Sequence, residues 1–270
     1  MDNETLRKAQ HVFLEIAKEI KRVCDENDIR YFLDSGTLLG AVRHKGFIPW
    51  DDDFDIGMMR EDYDRFCKIA PLKLDSKYFL QTWENDEQFA IPFAKVRKKN
   101  TVYLENKASA SLQNGFYVDI FPYDNAPDSI NEKNQLMKKL ANIERVILMK
   151  CHYQPWNEGT TFNVRKRLGY IPYQMISLVN TKEKLINKYM RLVKSVKSTG
   201  EEIYLQYGSA KGFFQKKCFF GDGVDLPFED TVFRCPSDSD GYLKMQYGDY
   251  MKLPPVDQRE NRHQILEIKF

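Results

Sequence analysis

A chain of 270 residues is long enough to bury a substantial core, and it fits one large domain or one domain with an annex. Lys and Arg number 41 against 39 for Asp and Glu, so the net charge of +2 argues for no nucleic acid as partner and for no acidic tail. The polar start Met1-Asp2-Asn3-Glu4-Thr5 lacks the apolar stretch of a secretion signal, and no run of about eighteen apolar residues offers a spanning helix. Five cysteines, at 24, 67, 151, 218 and 235, form no CxxC pair and read as reduced structural thiols, so a soluble, cytoplasmic protein is expected.

From residue 6 to 24 apolar side chains recur at helical spacing (Val12, Phe13, Ile16, Ala17, Ile20, Val23), which predicts an amphipathic helix. Asn27-Asp28 ends it, and 29–33 reads as a short strand entering the tight turn Asp34-Ser35-Gly36-Thr37. Helical character returns over 38–42. After Gly46 and Pro49 comes an acidic strand, then a helix over 61–70 closed by Pro71. Branched and aromatic content predicts strands at 78–82, 89–98, 101–104 and 116–121. Residues 131–150 and 181–198 read as long helices. The fold class is therefore α/β (α+β): a core over about 1–125, a helix-rich annex over about 126–215 and a completing segment over about 216–270.

The run Trp50-Asp51-Asp52-Asp53-Phe54-Asp55-Ile56-Gly57 packs four carboxylates into five positions. With Phe54 and Ile56 buried in a strand, Asp53 and Asp55 share the opposite face. Two parallel carboxylates suit a hard divalent cation, Mg²⁺ or alternatively Mn²⁺, which keeps phosphate oxygens and water as its other ligands. A solvated acidic turn is the plain alternative. Asp51, at even spacing, either joins that face or orients the turn. Gly36-Thr37 at a helix start offers backbone N–H groups and a hydroxyl to a phosphate, although capping the helix is the commoner use of Asp34, Ser35 or Thr37. Asp119 is a lone acid in the apolar strand Phe116-Tyr117-Val118-Asp119-Ile120-Phe121. Burial without a partner is costly, so it should be hydrogen-bonded, paired with a Lys or Arg, or bound to a metal. Three such acids on adjacent strands could hold two Mg²⁺ ions around an in-line displacement.

The run from Tyr31-Phe32-Leu33-Asp34-Ser35-Gly36-Thr37 through Asp51-Asp52-Asp53-Phe54-Asp55-Ile56-Gly57 resembles the signature of the LicD family, nucleotidyltransferase-fold phosphotransferases that include fukutin and the fukutin-related protein. The likeness is dense over 29–66, resumes at 116–123, and is looser at 221–228 and 247–255. It implies a nucleotidyltransferase-like mixed sheet flanked by helices. It also implies transfer of a phospho-alcohol from a CDP-linked alcohol donor to a sugar hydroxyl of a glycan or lipid-linked glycan acceptor, releasing CMP. Phosphocholine is the first expectation; ribitol phosphate and glycerol phosphate are close alternatives. On matching positions Asp53 and Asp55 become the metal-binding pair and Asp119 the third ligand, with Asp51 in the same motif and Gly36 and Thr37 at donor phosphate. Arg43 and His44 either contact that phosphate or form a basic turn that neutralises the acids.

Trp50 and the aromatic residues near the C-terminus either cage a quaternary ammonium or belong to the core. Arg259, Arg262 and His263 read first as a solvated basic tail, with a place facing the acceptor or the donor phosphate as the second reading. Arg165-Lys166-Arg167 and the apolar, aromatic stretch up to Val179 read as a core helix or dimer face, with contact to an anionic membrane as the second reading. A nucleotidylyltransferase, a metal-dependent glycosyltransferase and a non-catalytic nucleotide-binding subunit are the rival functions; the three enzymes differ in product, and metal-dependent turnover separates them from the subunit. The oligomeric state is open, and the expected setting is the cytosolic face of the membrane.

Overall fold

Asp2 opens the first helix: its carboxylate accepts the Thr5 amide, and α1 (Asn3–Glu26) buries Phe13, Ile16, Ala17, Ile20 and Val23 along one stripe. The computed structural model describes residues 1–105, 114–153, 164–196, 200, 202–205, 213–261, 263 and 265–270. After α1 come β1 (Phe32–Leu33), α2 (Ser35–His44), β2 (Asp55–Met59), α3 (Arg60–Lys73), β3 (Tyr78–Gln81), β4 (Ala94–Lys98), β5 (Val102–Glu105) and β6 (Tyr117–Asn125). The helices α4 (Ile130–Lys150), α5 (Val164–Val179) and α6 (Lys182–Lys194) follow. The chain then forms β7 (Glu202–Leu205), β8 (Phe213–Lys216), β9 (Val224–Phe228), β10 (Thr231–Cys235), α7 (Ser239–Tyr247) and β11 (Ile265–Lys269).

The main sheet runs β1-β2-β6-β4-β3, with β7 and β8 continuing from β6. Strands β2 and β6 are parallel and the other pairs antiparallel, giving a mixed sheet flanked by helices. The expected strand at 116–121 extends through Pro122 to Asn125. Pro122 is tolerated because it falls where β6 leaves β4, paired up to Ile120, and takes up β7 from Tyr123, so no partner needs its missing N–H. The expected strand at 89–98 shortens to β4, since Phe89 closes a turn on Asp86 and Pro92 lacks a donor. Pro71 does not close α3; in the last turn it withholds one N–H, and the helix continues to Lys73.

Two apolar clusters organise the interior. One lies between α1 and the main sheet, around Phe13, Phe54, Ile56, Phe116, Val118 and Ile120. The other joins Trp83 and Phe89 to Leu140, Ile147, Leu185 and Tyr189 beneath α4 and α6. Strand β11 pairs with β5, so the end of the chain returns to the edge of the acidic loop. Among the described residues no helix is long and apolar enough to cross a membrane.

Candidate active site

Asp55 opens β2 directly beside Asp119 on parallel β6, and Asp119 lies opposite Lys95 on antiparallel β4. Their neighbours Phe54, Ile56, Val118, Ile120, Ala94 and Val96 are buried, so alternation sends the two acids and the lysine to the other face of the sheet. The Lys95 ammonium is 2.6 Å from Asp119 Oδ1 and sits 3.4 Å over the Tyr117 ring. Lys95 thus supplies the cation partner that was the alternative to a metal for Asp119. Burial, then the charges of Asp53, Asp119, Asp34 and Asp51, push the Asp55 carboxyl well above the usual carboxylate range. Burial also raises Asp119 against the pull of Lys95. Carboxylates that resist ionising together form a hard-oxygen donor set short of positive charge, which fits a divalent cation.

The start of α2 is stapled to the acidic strand. The Asp55 amide donates to Thr37 Oγ1 (2.9 Å), and the Asp34 amide donates to the Asp55 carbonyl (3.1 Å). Thr37 is buried, so its oxygen serves this backbone contact. Asp34 accepts the hydroxyls of Tyr123 (2.6 Å) and Tyr242. Gly57 makes room for this: a Cβ there would stand 2.3 Å from the Tyr123 ring. Ser35 takes φ 44°, a left-handed conformation that costs about 1 kcal/mol or more in a non-glycine residue, at the helix entry where strain is commonly stored. A Cβ on Gly36 would lie 3.2 Å from Asp51 Oδ2, so the buried Asp51 carboxylate lies against the first turn of α2, where N–H groups point outward.

Asp52, in the loop that leads into β2, is shielded from solvent. It accepts His263 Nδ1 (2.9 Å) and the His263 backbone N–H (3.1 Å), while Tyr103 Oη donates to its carbonyl (2.9 Å). The hydrogen bond to Asp52 outweighs burial and lifts the imidazole to about 9. His263 Nδ1 is also 4.0 Å from Asp53 Oδ2, and Asp52, Asp53 and His263 each place one donor atom within 4.8 Å of the others. His263 is therefore clamped to the acidic loop, not part of a solvated tail; Arg262 lies outside the described residues.

Arg43 and His44 lie at the far end of α2, about 10 Å along its axis from Gly36 at the usual rise per residue. Arg43 Nη1 donates to the Tyr250 carbonyl (2.6 Å) and Nε to His44 Nε2 (3.0 Å). Burial, with Arg43 alongside, lowers His44 and favours its neutral form. The His44 ring meets the edge of Trp50, over which the Arg259 guanidinium sits at 5.6 Å. The structure thus gathers Asp51, Asp53, Asp55 and Asp119, backs them with Gly36 and Thr37, and sets Arg43 and His44 in a separate basic group on the C-terminal segment.

Sequence reasoning passed over Lys95, took Asp34 for a cap, gave Asp52 no role of its own and read His263 first as part of a solvated tail. Lys95 carried the same signal as Asp119, a charge between apolar strand residues. The Asp52–His263 contact spans 211 positions and left no local trace.

The sequence model described as LicD/FKTN/FKRP, nucleotidyltransferase domain, matches residues 28–164. The chain is 31% identical over 268 residues to the lipopolysaccharide cholinephosphotransferase LicD of Haemophilus influenzae, covering 97% of each chain. A 48-residue stretch is 46% identical to the human ribitol 5-phosphate transferase FKRP, covering 18% of this chain and 10% of that protein. Match and relative both span the acidic strand, β6 and the turn into α2, and the chain belongs to the LicD family of phosphotransferases.

Proposed function

We propose that the chain transfers phosphocholine from CDP-choline to a sugar hydroxyl of a surface glycan or its lipid-linked precursor, releasing CMP. Asp53 and Asp55, with Asp119 as third ligand, would hold Mg²⁺ or Mn²⁺, which when bound neutralises charge on the donor diphosphate. The observation that carries this reading is the crowding around Asp55, which sits beside Asp119 on the parallel strand and whose carboxyl is pushed up first by burial and then by four neighbouring acids. The choline phosphate cargo and glycan acceptor come from the name of the H. influenzae relative.

Catalysis in such a site is chiefly positioning and charge. Thr37 and the Asp34 amide fix the entry of β2, so Asp55 has little freedom. Lys95 orients Asp119 and keeps an ammonium beside the row. Arg43, bonded to His44, and Arg259, over Trp50, offer donors to the nucleotide side of the diphosphate. The acceptor oxygen forms a bond to the phosphorus bearing choline, the bond from that phosphorus to the CMP oxygen breaks, and the hydroxyl proton leaves the acceptor. Ribitol phosphate is the second reading, favoured by the FKRP-like stretch.

The test is release of CMP from CDP-choline, CDP-ribitol and CDP-glycerol with Mg²⁺ and glycan acceptors, in wild type and Asp53→Ala. CMP from CDP-choline, abolished by Asp53→Ala and by chelation, is expected. Pyrophosphate as product would replace the reading with nucleotidyl transfer, and metal-independent release would remove the proposed cation.

A further inference from the structure

Helix α5 is built inside out. Its inward arc is polar and aromatic: the Tyr173 hydroxyl donates to Asn142 (2.9 Å) and receives Arg145 (3.3 Å), Lys150 donates to the Ser177 carbonyl (3.2 Å), and Ser177 is buried. The opposite arc carries Leu168, Ile171, Met175, Leu178 and Val179 at i, i+3, i+7, i+10 and i+11, between 47% and 80% exposed. In α1 the same spacing marks the stripe that enters the core. Single exposed apolar residues are ordinary, whereas five that share one helix face mark a docking surface.

Charge identifies the occupant. Residues 130–196 hold thirteen Lys or Arg against four Asp or Glu, although the whole chain is nearly balanced. Helix α5 opens on Val164-Arg165-Lys166-Arg167 and contains no acidic residue, and Arg167 is exposed next to the apolar arc. A second copy of this face would bring like charge against like, and an acidic protein surface would match the charge but leave the apolar arc unmet. An anionic bilayer satisfies both, with acyl chains for the arc and headgroup phosphates for the basic surround. At 16 residues, with Pro172 inside, α5 is too short to span and is suited to lie flat.

We propose that α5 is an interfacial helix that docks the protein on an anionic lipid surface through Leu168, Ile171, Met175, Leu178 and Val179. The inference rests on exposure and charge alone and is independent of the reaction. Its test is co-sedimentation of the full chain with vesicles of phosphatidylcholine, with and without phosphatidylglycerol. Wild type is expected to sediment with the anionic vesicles and to be released by salt. Leu168→Gln/Met175→Gln/Leu178→Gln should lower the bound fraction about tenfold, as expected for removing exposed apolar area from a lipid contact. Arg165→Ser/Lys166→Ser/Arg167→Ser should abolish the preference for phosphatidylglycerol. Circular dichroism melting checks that the variants fold, and the single Met175→Gln variant replaces the triple one should that unfold. No binding to anionic vesicles, or binding unchanged by the apolar substitutions, overturns the proposal. So does a wild-type dimer by light scattering that these substitutions dissociate without any effect on vesicles. CMP release from soluble acceptors needs no vesicles, so failure of the docking and failure of the proposed reaction are read separately.

Discussion

Where the acidic loop enters β2 the apolar Phe54 and Ile56 are fully buried, and Asp53 and Asp55 stay partly open to solvent; along α5 the polar Tyr173 and Ser177 turn inward, and the apolar Leu178 and Val179 stand out. Both elements obey the periodicity of their type. They differ in what surrounds them. The acidic strand begins inside a sheet whose apolar face is covered by α1, whereas α5 has α4 on one side and, among the described residues, no apolar element over its outer arc. Periodicity tells which residues share a face, and only the neighbouring elements tell which face is the inside.

The largest effect that bears on this contrast is expected from Asp55→Asn. Turnover should fall by about 10³-fold, the scale of losing one preorganised charge contact at the reacting centre. Stability should rise. A carboxyl whose folded pKa is raised disfavours the folded state once pH exceeds its unfolded value, so a neutral amide should raise Tm at neutral pH. Calorimetry paired with CMP assays measures both, and a Tm that falls together with turnover would make Asp55 a structural residue.

Next in size is Phe54→Ala, which empties a fully buried site among Phe47, Phe228 and Phe233. A loss of about 3–5 kcal/mol in denaturant titration is expected. A loss below about 1 kcal/mol would show that the face behind the acids is not a packed core.

His263 supplies a smaller, pH-dependent effect. Its folded pKa of about 9 lies above the ordinary value of 6.5, so its contribution is complete below about pH 6.5 and fades as pH rises through 9. The ring is about one-third exposed, which discounts the coupling to about 1–2 kcal/mol. Urea titrations of wild type and His263→Gln should differ by that amount at pH 6 and converge by about pH 10. A difference that widens with pH would place the ring in its neutral form against Asp52.

The smallest effect sharpens the contrast most directly. Leu178→Ala, on the outer arc of α5, should change stability by no more than about 0.5 kcal/mol, since the side chain is already 72% exposed. A loss comparable to that of Phe54→Ala would mean that α5 buries this face after all.

Much of the architecture was legible along the chain. Helices at 6–24 and 131–150 announce themselves by spacing, and Asp119 is conspicuous because a lone acid in an apolar strand must find a partner. The misreadings share a cause. Pro122 and Pro71 look like stops, yet one falls at a change of strand partner and the other in a last helical turn, where it costs a single i→i−4 bond and the helix runs on to Lys73. The 224–235 hairpin was not anticipated either: it turns through Glu229 at φ 54°, without glycine at the two-residue turn.

By itself the sequence determined the family, the element types over most of the chain, and the strands that carry Asp55 and Asp119, because motifs and periodicity are local properties of the backbone. Only the tertiary structure decided that Lys95 faces Asp119, that Asp52 holds His263, that Thr37 is spent on the Asp55 amide, and that the apolar arc of α5 faces outward. Those outcomes depend on sheet register and on contacts between residues as far as 211 positions apart, and no local pattern encodes which distant partner a buried charge will meet.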